Sequence, residues 1–450
     1  MLKRRFIKTR RFFRNPFVKL LFSSSIFTVW VLWLETYWLF AGLIIITDIH
    51  LTKYVNWRFW RKRLRKGKKH KFKTELLDSI IIAVLVVGFF RVFLFEAYSI
   101  PTSSMEKTLC VGDYIMVSKL RYGPRLPMTP FNIPFTHNSM PFYKNKNSFI
   151  STVQLPYRRL KGINQIKRYD VVVFNYPEGD TVIQKLPEKS YYTMIRQYGR
   201  KKINKTYSIL YRPIDKRDNY IKRVIGLPGD TVRILHGIAY INNKKETAPE
   251  SIQYNYSLKI VNSNDINTLD KLEISKYDIQ DNVYNSVYTI PLTKKKYRTI
   301  IDSGYFKAIV KYENIDPTSS NQIFPFDKRY TWTEDNFGPL AVPSRGLVIE
   351  INAHNLPLYE RIIRQYEGNK IEVKNNLIYI NDIIRHTYTF KMNYYFMLGD
   401  NRHNSNDSRY WGFVPENHII GKALFTWLSL DKEKHFPYNI RWSKMVKFIR

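Results

Sequence analysis

Cysteine is all but missing from this chain of 450 residues: there is one, Cys110. No intrachain disulfide can form, and zinc sites built on four cysteines are excluded with it. The nine histidines show neither the HExxH nor the HxH spacing of a metal centre, so no metal and no cofactor is expected. Acidic residues are scarce as well, 37 against 73 Lys and Arg, for a formal net charge of +36. A charge of that size raises nucleic acid as a partner. Its distribution argues otherwise. The first 73 residues carry 19 basic and 2 acidic side chains, and these flank apolar stretches, as the cytoplasmic segments of a membrane protein do. The remaining excess is spread thinly through Lys-, Tyr- and Asn-rich sequence, so no nucleic-acid partner is expected.

Also missing is a clean apolar run of about 18 residues. Two interrupted ones stand near the start. The first, Leu20 to Ile49, is broken by Glu35, which would sit mid-membrane in a single straight helix at high cost. A bent or hairpin insertion is the alternative. The second, Leu76 to Ile100, has an uncharged heart from Ser79 to Phe90 followed by Arg91, which can snorkel to the interface. Between them Lys53 to Lys73, with Arg61-Lys62-Arg63 and Lys68-Lys69, reads as a solvated basic loop. The positive-inside rule makes it cytoplasmic and puts everything after the second stretch outside. The N-terminus is basic too, which conflicts with a single crossing by the first stretch, and the number of crossings stays open. A cleavable signal peptide is not expected, because the basic loop and second apolar stretch follow without a small-residue cleavage site.

From Ile100 onward the pattern changes to short strands and turns. Tyr114–Val117, Asp170–Phe174, Tyr220–Ile225 and Thr231–Leu235 are β-branched or alternating and are bounded by Gly, Pro and Asp. No long amphipathic helix stands among them. Residues from about Asn243 to Lys391 form a long Tyr/Asn/Lys-rich stretch, read as an inserted β-rich subdomain. It holds a weak echo: Ile238-Ala-Tyr-Ile-Asn242 resembles Leu377-Ile-Tyr-Ile-Asn381, which two unrelated hairpins explain as well as duplication does.

Four segments carry chemistry: Ile100-Pro-Thr-Ser-Ser-Met-Glu-Lys-Thr-Leu109, Lys167–Phe174, Tyr220–Asp230, and Gly399-Asp-Asn-Arg-His-Asn-Ser-Asn-Asp-Ser-Arg-Tyr-Trp-Gly-Phe-Val-Pro415. They offer a Ser/Thr cluster just beyond an apolar anchor and a lysine, Lys222, inside an apolar strand. Taken alone, Lys222 reads most simply as a solvated strand lysine. A serine hydroxyl, however, needs a base to become a nucleophile, and lysine serves only when neutral. Apolar surroundings disfavour the ammonium and can lower a lysine pKa by about 3 units.

Together and in this order, the four segments resemble the boxes of the bacterial type I signal peptidases, of which the last, GDNRxNSxDSRxWGxVP, is the longest and most specific. The resemblance runs from Tyr98 to Ala423. It implies a mainly β catalytic domain of signal-peptidase type, preceded by N-terminal transmembrane helices and carrying a β-rich insertion. The implied segments are a membrane part and basic loop (1–75), an anchor (76–99), the catalytic domain in two parts (100–242 and 392–435) around the insertion (243–391), and a basic tail (436–450). Such enzymes lie in the bacterial inner membrane with the catalytic domain on the outer, periplasmic face, and cut signal peptides from exported preproteins after small residues. The implied partners are preprotein signal peptides, membrane lipid and a nearby secretion translocon. Carried over position by position, Ser104 is the nucleophile and Lys222 the general base. Ser405 orients the lysine, and Thr102 joins the Ser104 N–H in the oxyanion hole. Asp407 and Arg409 are a supporting pair, and Ile100, Tyr220 and Ile221 line shallow pockets for P1 and P3. Lys107 replaces a common proline and His403 a common aspartate.

Lys107 also creates a rival. Ser104-Met-Glu-Lys107 is an S-x-x-K, the signature of penicillin-binding acyltransferases, but neither an SDN nor a KTG triplet is present. A soluble self-cleaving repressor would also use Ser and Lys, and the apolar anchor argues against it. An inactive membrane-bound binding module would have no reason to keep Ser104, Lys222, Ser405 and an oxyanion donor.

Overall fold

The computed structural model describes residues 15–57, 68–140, 146–247, 249–260, 280–282, 287–303, 306–314, 316, 322–431 and 434–449. Arg61-Lys62-Arg63 and part of the 243–391 stretch lie outside them. The chain divides into a helical unit, residues 1–91 with 158–162, and a second unit holding the rest.

Helix α1, Pro16–Leu34, opens behind Asn15, whose side chain accepts the Phe17 N–H at 2.9 Å, with proline at the first helical position. It ends at Glu35, where the backbone turns left-handed, φ 51°. The first apolar stretch is therefore broken, and the chain returns through a helical segment, Tyr37–Thr52, that packs on α1. The break takes Glu35 out of the helix and into the tip between the two arms. Helix α2, Lys68–Phe93, is the second apolar stretch, and its part from Glu75 to Phe93 is long and apolar enough to cross a membrane, as is α1. It stops short of Ile100, because Phe95–Ser99 is already a strand.

The second unit is built on an antiparallel sheet. Its longer strands are β1 (Phe95–Ser99), β2 (Asp113–Ser118), β3 (Val171–Asn175), β4 (Asn219–Gly226), β11 (Tyr394–Leu398) and β12 (Ile419–Ser429), in the spatial order β1-β2-β12-β3-β4-β11. Strand β3 is buried at every position, which a sheet covered on both faces requires. The two-residue period sends Val172 and Phe174 into one core with Val224, Met397 and Trp411. Val171 and Val173 go into another with Ile100, Met105, Leu109 and Ile115.

Between β4 and β11 the chain builds further sheets. Strand β5 (Thr231–Leu235) pairs with β6 (Ile238–Ile241) and with β10 (Phe337–Ala341). Strands β7 (Gln253–Ile260), β8 (Val287–Thr293) and β9 (Phe306–Lys311) form a sheet with β7 between the other two. Because β10 of the inserted stretch pairs with β5 before it, the insertion is woven into the same body as the main sheet. The echo noted above falls on two meanders of one design. Strands β6 and Leu377–Ile380 each leave through a two-residue turn with both φ positive, Asn242-Asn243 and Asn381-Asp382. Past β12 the chain does not trail away: Lys447–Phe448 pairs back onto β12.

Candidate active site

Ser104 lies in a single 3-10 turn, Ser103–Met105, that follows the extended Thr102. The apolar Met105 and Leu109 anchor this turn in the core beneath β2 and β3. A short turn of this kind leaves its first backbone N–H groups without partners inside it. Ser104 is 7% exposed. The turn ends at Glu106, and Lys107 sits in a left-handed conformation, φ 70°. No helical face therefore carries Lys107 back over Ser104.

Lys222 comes from β4, opposite Val172 of β3 and two residues from Tyr220, whose ring centroid lies 5.7 Å from the ammonium nitrogen. Its Nζ donates to Ser104 Oγ at 2.7 Å and to the Ile221 carbonyl at 3.0 Å. With 3% of its surface exposed, the charged form is penalised: burial pulls the Lys222 pKa down to about 8, against the opposing pull of Asp407 and Asp400.

The third segment is the loop between β11 and β12. Gly399 packs on both the Ser104 turn and Ser405. A Cβ there would stand 2.6 Å from the Ser104 carbonyl oxygen and 2.2 Å from Ser405 Oγ, so only glycine fits. Asn401 donates its N–H to the Ser104 carbonyl at 3.1 Å and its side-chain amide to the Ser103 carbonyl at 3.3 Å. Asp400 accepts Nε of Arg223 at 2.7 Å and its Nη2 at 2.6 Å, a buried bidentate pair joining loop to β4. Asp407 accepts Nε of Arg409 at 2.9 Å and Nη2 at 2.8 Å, and the Gly399 N–H at 3.1 Å. Burial pushes the Asp407 carboxyl up, but the Arg409 guanidinium and these hydrogen bonds hold it below the usual carboxylate range.

Of the nine site residues expected from sequence, Ser104 and Lys222 are in contact, and Asp407 and Arg409 form their pair. Ser405 is buried beside Asp407 and helps hold that carboxyl down, yet its hydroxyl makes no hydrogen bond of ordinary geometry, to Lys222 or otherwise. Thr102 is exposed, one residue before the turn. Ile100 and Ile221 share one apolar cluster, whereas Tyr220 faces the other side of the sheet and stacks on Tyr176 at 4.4 Å. Sequence reasoning gave no role to Gly399, Asn401, Arg223 or Asp400. All four lie inside the quoted segments, so the signal was there, but it marks only residues that touch other residues.

With this geometry in view, the profile of the family described as signal peptidase, peptidase S26, matches residues 73–297 and 383–428. The chain belongs to this family. It is similar, at 27% identity, to the signal peptidase I of Buchnera aphidicola from Schizaphis graminum, over 95% of this chain and 97% of that one. The Buchnera aphidicola signal peptidase I from Acyrthosiphon pisum is 26% identical over 87% and 86% of the two chains. That of Haemophilus influenzae is 24% identical over 86% and 81%. As an S26 signal peptidase the chain is a serine endopeptidase anchored in a membrane, which its two long apolar helices fit. The S26 match passes over residues 298–382, most of the second half of the insertion.

Proposed function

We propose that this signal peptidase removes signal peptides from exported preproteins, cutting after small residues with Ser104 as nucleophile and Lys222 as general base. The observation that carries this reading is the 2.7 Å contact between Lys222 Nζ and Ser104 Oγ in a buried setting that favours the neutral amine. When Lys222 is neutral, the Ser104 O–H donates to it. The oxygen attacks the scissile carbonyl, its proton passes to Nζ, and the new oxyanion is met by the Ser104 N–H and the Thr102 hydroxyl. Collapse expels the new N-terminal amine, which takes the proton from Lys222, and water then releases the acyl group by the same route. Asp407 and Arg409 hold the loop that carries Gly399 against the nucleophile turn. Ser405, buried in the same loop beside Asp407, is the residue assigned to orient the lysine. Ile100 and Ile221 share the apolar wall suited to a methyl-sized side chain, and Tyr220 borders Lys222.

For topology, we place the N-terminus and the basic loop in the cytoplasm and the β domain on the outer face of the inner membrane, near the translocon. We keep the segment boundaries expected from sequence except that of the 76–99 anchor, whose helix ends at Phe93. Lipid contact beyond the helices is supported by the C-terminal segment, where Phe436, Tyr438, Trp442 and Phe448 are exposed among Lys434, Arg441, Lys444 and Lys447. Aromatic and basic side chains in alternation suit a bilayer interface.

The test is a single-turnover assay on a signal-peptide substrate in detergent. Ser104→Ala and Lys222→Ala should each remove cleavage, while Lys107→Ala keeps most of it. Loss in Lys107→Ala with survival in Lys222→Ala would assign the base wrongly.

A further inference from the structure

The stretch between β4 and β11 reaches the catalytic loop at several points. Gln253, at the start of β7, donates its N–H to the Asp400 carbonyl at 2.8 Å and accepts the Arg402 N–H at 3.0 Å, a parallel bridge centred on Asn401. The two side chains that follow Asn401 are seized as well. Arg402 forms a buried bidentate pair with Glu246, 2.7 and 3.1 Å. His403 Nδ1 accepts the Asn255 N–H at 3.0 Å, which leaves the hydrogen on Nε2 to donate to Asp335 at 2.9 Å. Both side chains of this last pair are 1% exposed, with Tyr254 and Tyr312 set edge-on to the imidazole. Asp335 is fixed in turn by the Asn314 N–H at 2.7 Å. Asn401, held between these anchors, donates twice to the nucleophile turn.

We propose that the insertion is a positioning device for the nucleophile: it clamps Asp400–His403 through Gln253, Glu246 and the Asp335–His403 pair, and Asn401 passes that fixed position to Ser104. This rests on Ser104 being the nucleophile. The clamping contacts of Gln253, Glu246 and Asp335 are made to the loop and not to Ser104 or Lys222, so their effect is expected on the rate of attack and not on binding. Small displacements of a nucleophile cost about 100-fold in rate. The pair also explains why a histidine serves where the family commonly has an aspartate. An aspartate at position 403 would face the Asp335 carboxylate in a dry site.

The experiment uses the full chain in detergent micelles with a signal-peptide substrate, and compares His403→Asp, Asp335→Asn and the two together. His403→Asp should lower kcat by about 10- to 100-fold with KM unchanged. The rising limb of its pH profile should stay where Lys222 puts it, because neither His403 nor Asp335 contacts the lysine. In the double variant the amide introduced at position 335 can donate to the carboxylate introduced at position 403, and kcat should return to within about threefold of the parent. A folded His403→Asp enzyme with parental kcat, a loss residing in KM, or a folded double variant that is not rescued would each overturn the clamp. Should His403→Asp not fold, Asp335→Asn alone should lower kcat several-fold at unchanged KM, and a parental kcat there overturns it equally. Activity surviving in Ser104→Ala would instead sink the reading of the nucleophile, a result the clamp variants cannot produce.

Discussion

In the mechanism proposed above, the chemistry turns on one side chain carrying a proton or not. Lys222 has its pKa drawn from 10.5 to about 8 by burial. Only the neutral amine can take the Ser104 proton, so activity should follow its fraction: about one-tenth at pH 7 and nine-tenths at pH 9. A pH profile of kcat/KM should therefore rise roughly tenfold over that interval. A limb near pH 6.5 removed by changing a histidine would point to another base. The same shift has a cost to the fold. The unfolded chain binds this proton more tightly than the folded one, so burying Lys222 destabilises most below pH 8, by about 3 kcal/mol. The penalty fades as pH rises from 8 to 10.5. Lys222→Met should accordingly raise Tm at pH 6 and lose its advantage toward pH 10, as scanning calorimetry would read. An equal gain at both pH values would mean packing, not charge, sets the difference.

Elements decide where these residues stand. Strands β2, β3, β4 and β5 were legible because β-branched runs end at Gly, Pro or Asp, and each of those runs is a strand here. The end of α2 was not legible: Phe-Glu-Ala-Tyr-Ser reads equally well as helix or strand, and its pairing with β2 decides, through residues some twenty positions away. The Ser104–Lys222 contact could be inferred only from resemblance, since 118 residues separate the partners. Least legible was the join of Gln253 to the catalytic loop, because it is made by backbone groups, which carry no residue signature. The closest approach in the site is likewise made by what a residue lacks. Gly399→Ala would drive a methyl group into the Ser104 carbonyl and the Ser405 side chain. Backbone cannot yield as a flexible side chain does, so the turn must move. We expect kcat to fall at least about 100-fold with a lowered Tm. Near-parental activity would show that the loop and the turn can part without harm.

At the scale of the whole molecule, the basic N-terminus and the basic loop both call for the cytoplasm, which one crossing by the first apolar stretch could not satisfy. The break at Glu35 offers a way round the conflict. In the topology proposed above, α1 would go out and Tyr37–Thr52 come back, so both basic segments would lie on one side and α2 would make a third crossing. That topology would put the tip on the outer side, and its contacts fit such a placement. Arg158 pairs with Glu35 at 3.6 Å and donates to Thr36 Oγ1 at 3.0 Å, while Trp33 Nε1 donates to the Lys161 carbonyl at 3.2 Å. Those partners follow α2 in the chain, so under the proposed topology they would share the outer side with the tip. Single cysteines introduced into a Cys110→Ser background, at Thr9, Lys66 and Asn264, should report this with a membrane-impermeant maleimide on spheroplasts. Asn264→Cys should label at once, and Thr9→Cys and Lys66→Cys only after the membrane is opened. Labelling of Thr9→Cys in sealed spheroplasts would mean two crossings and an outward N-terminus, and the hairpin could not then cross as described.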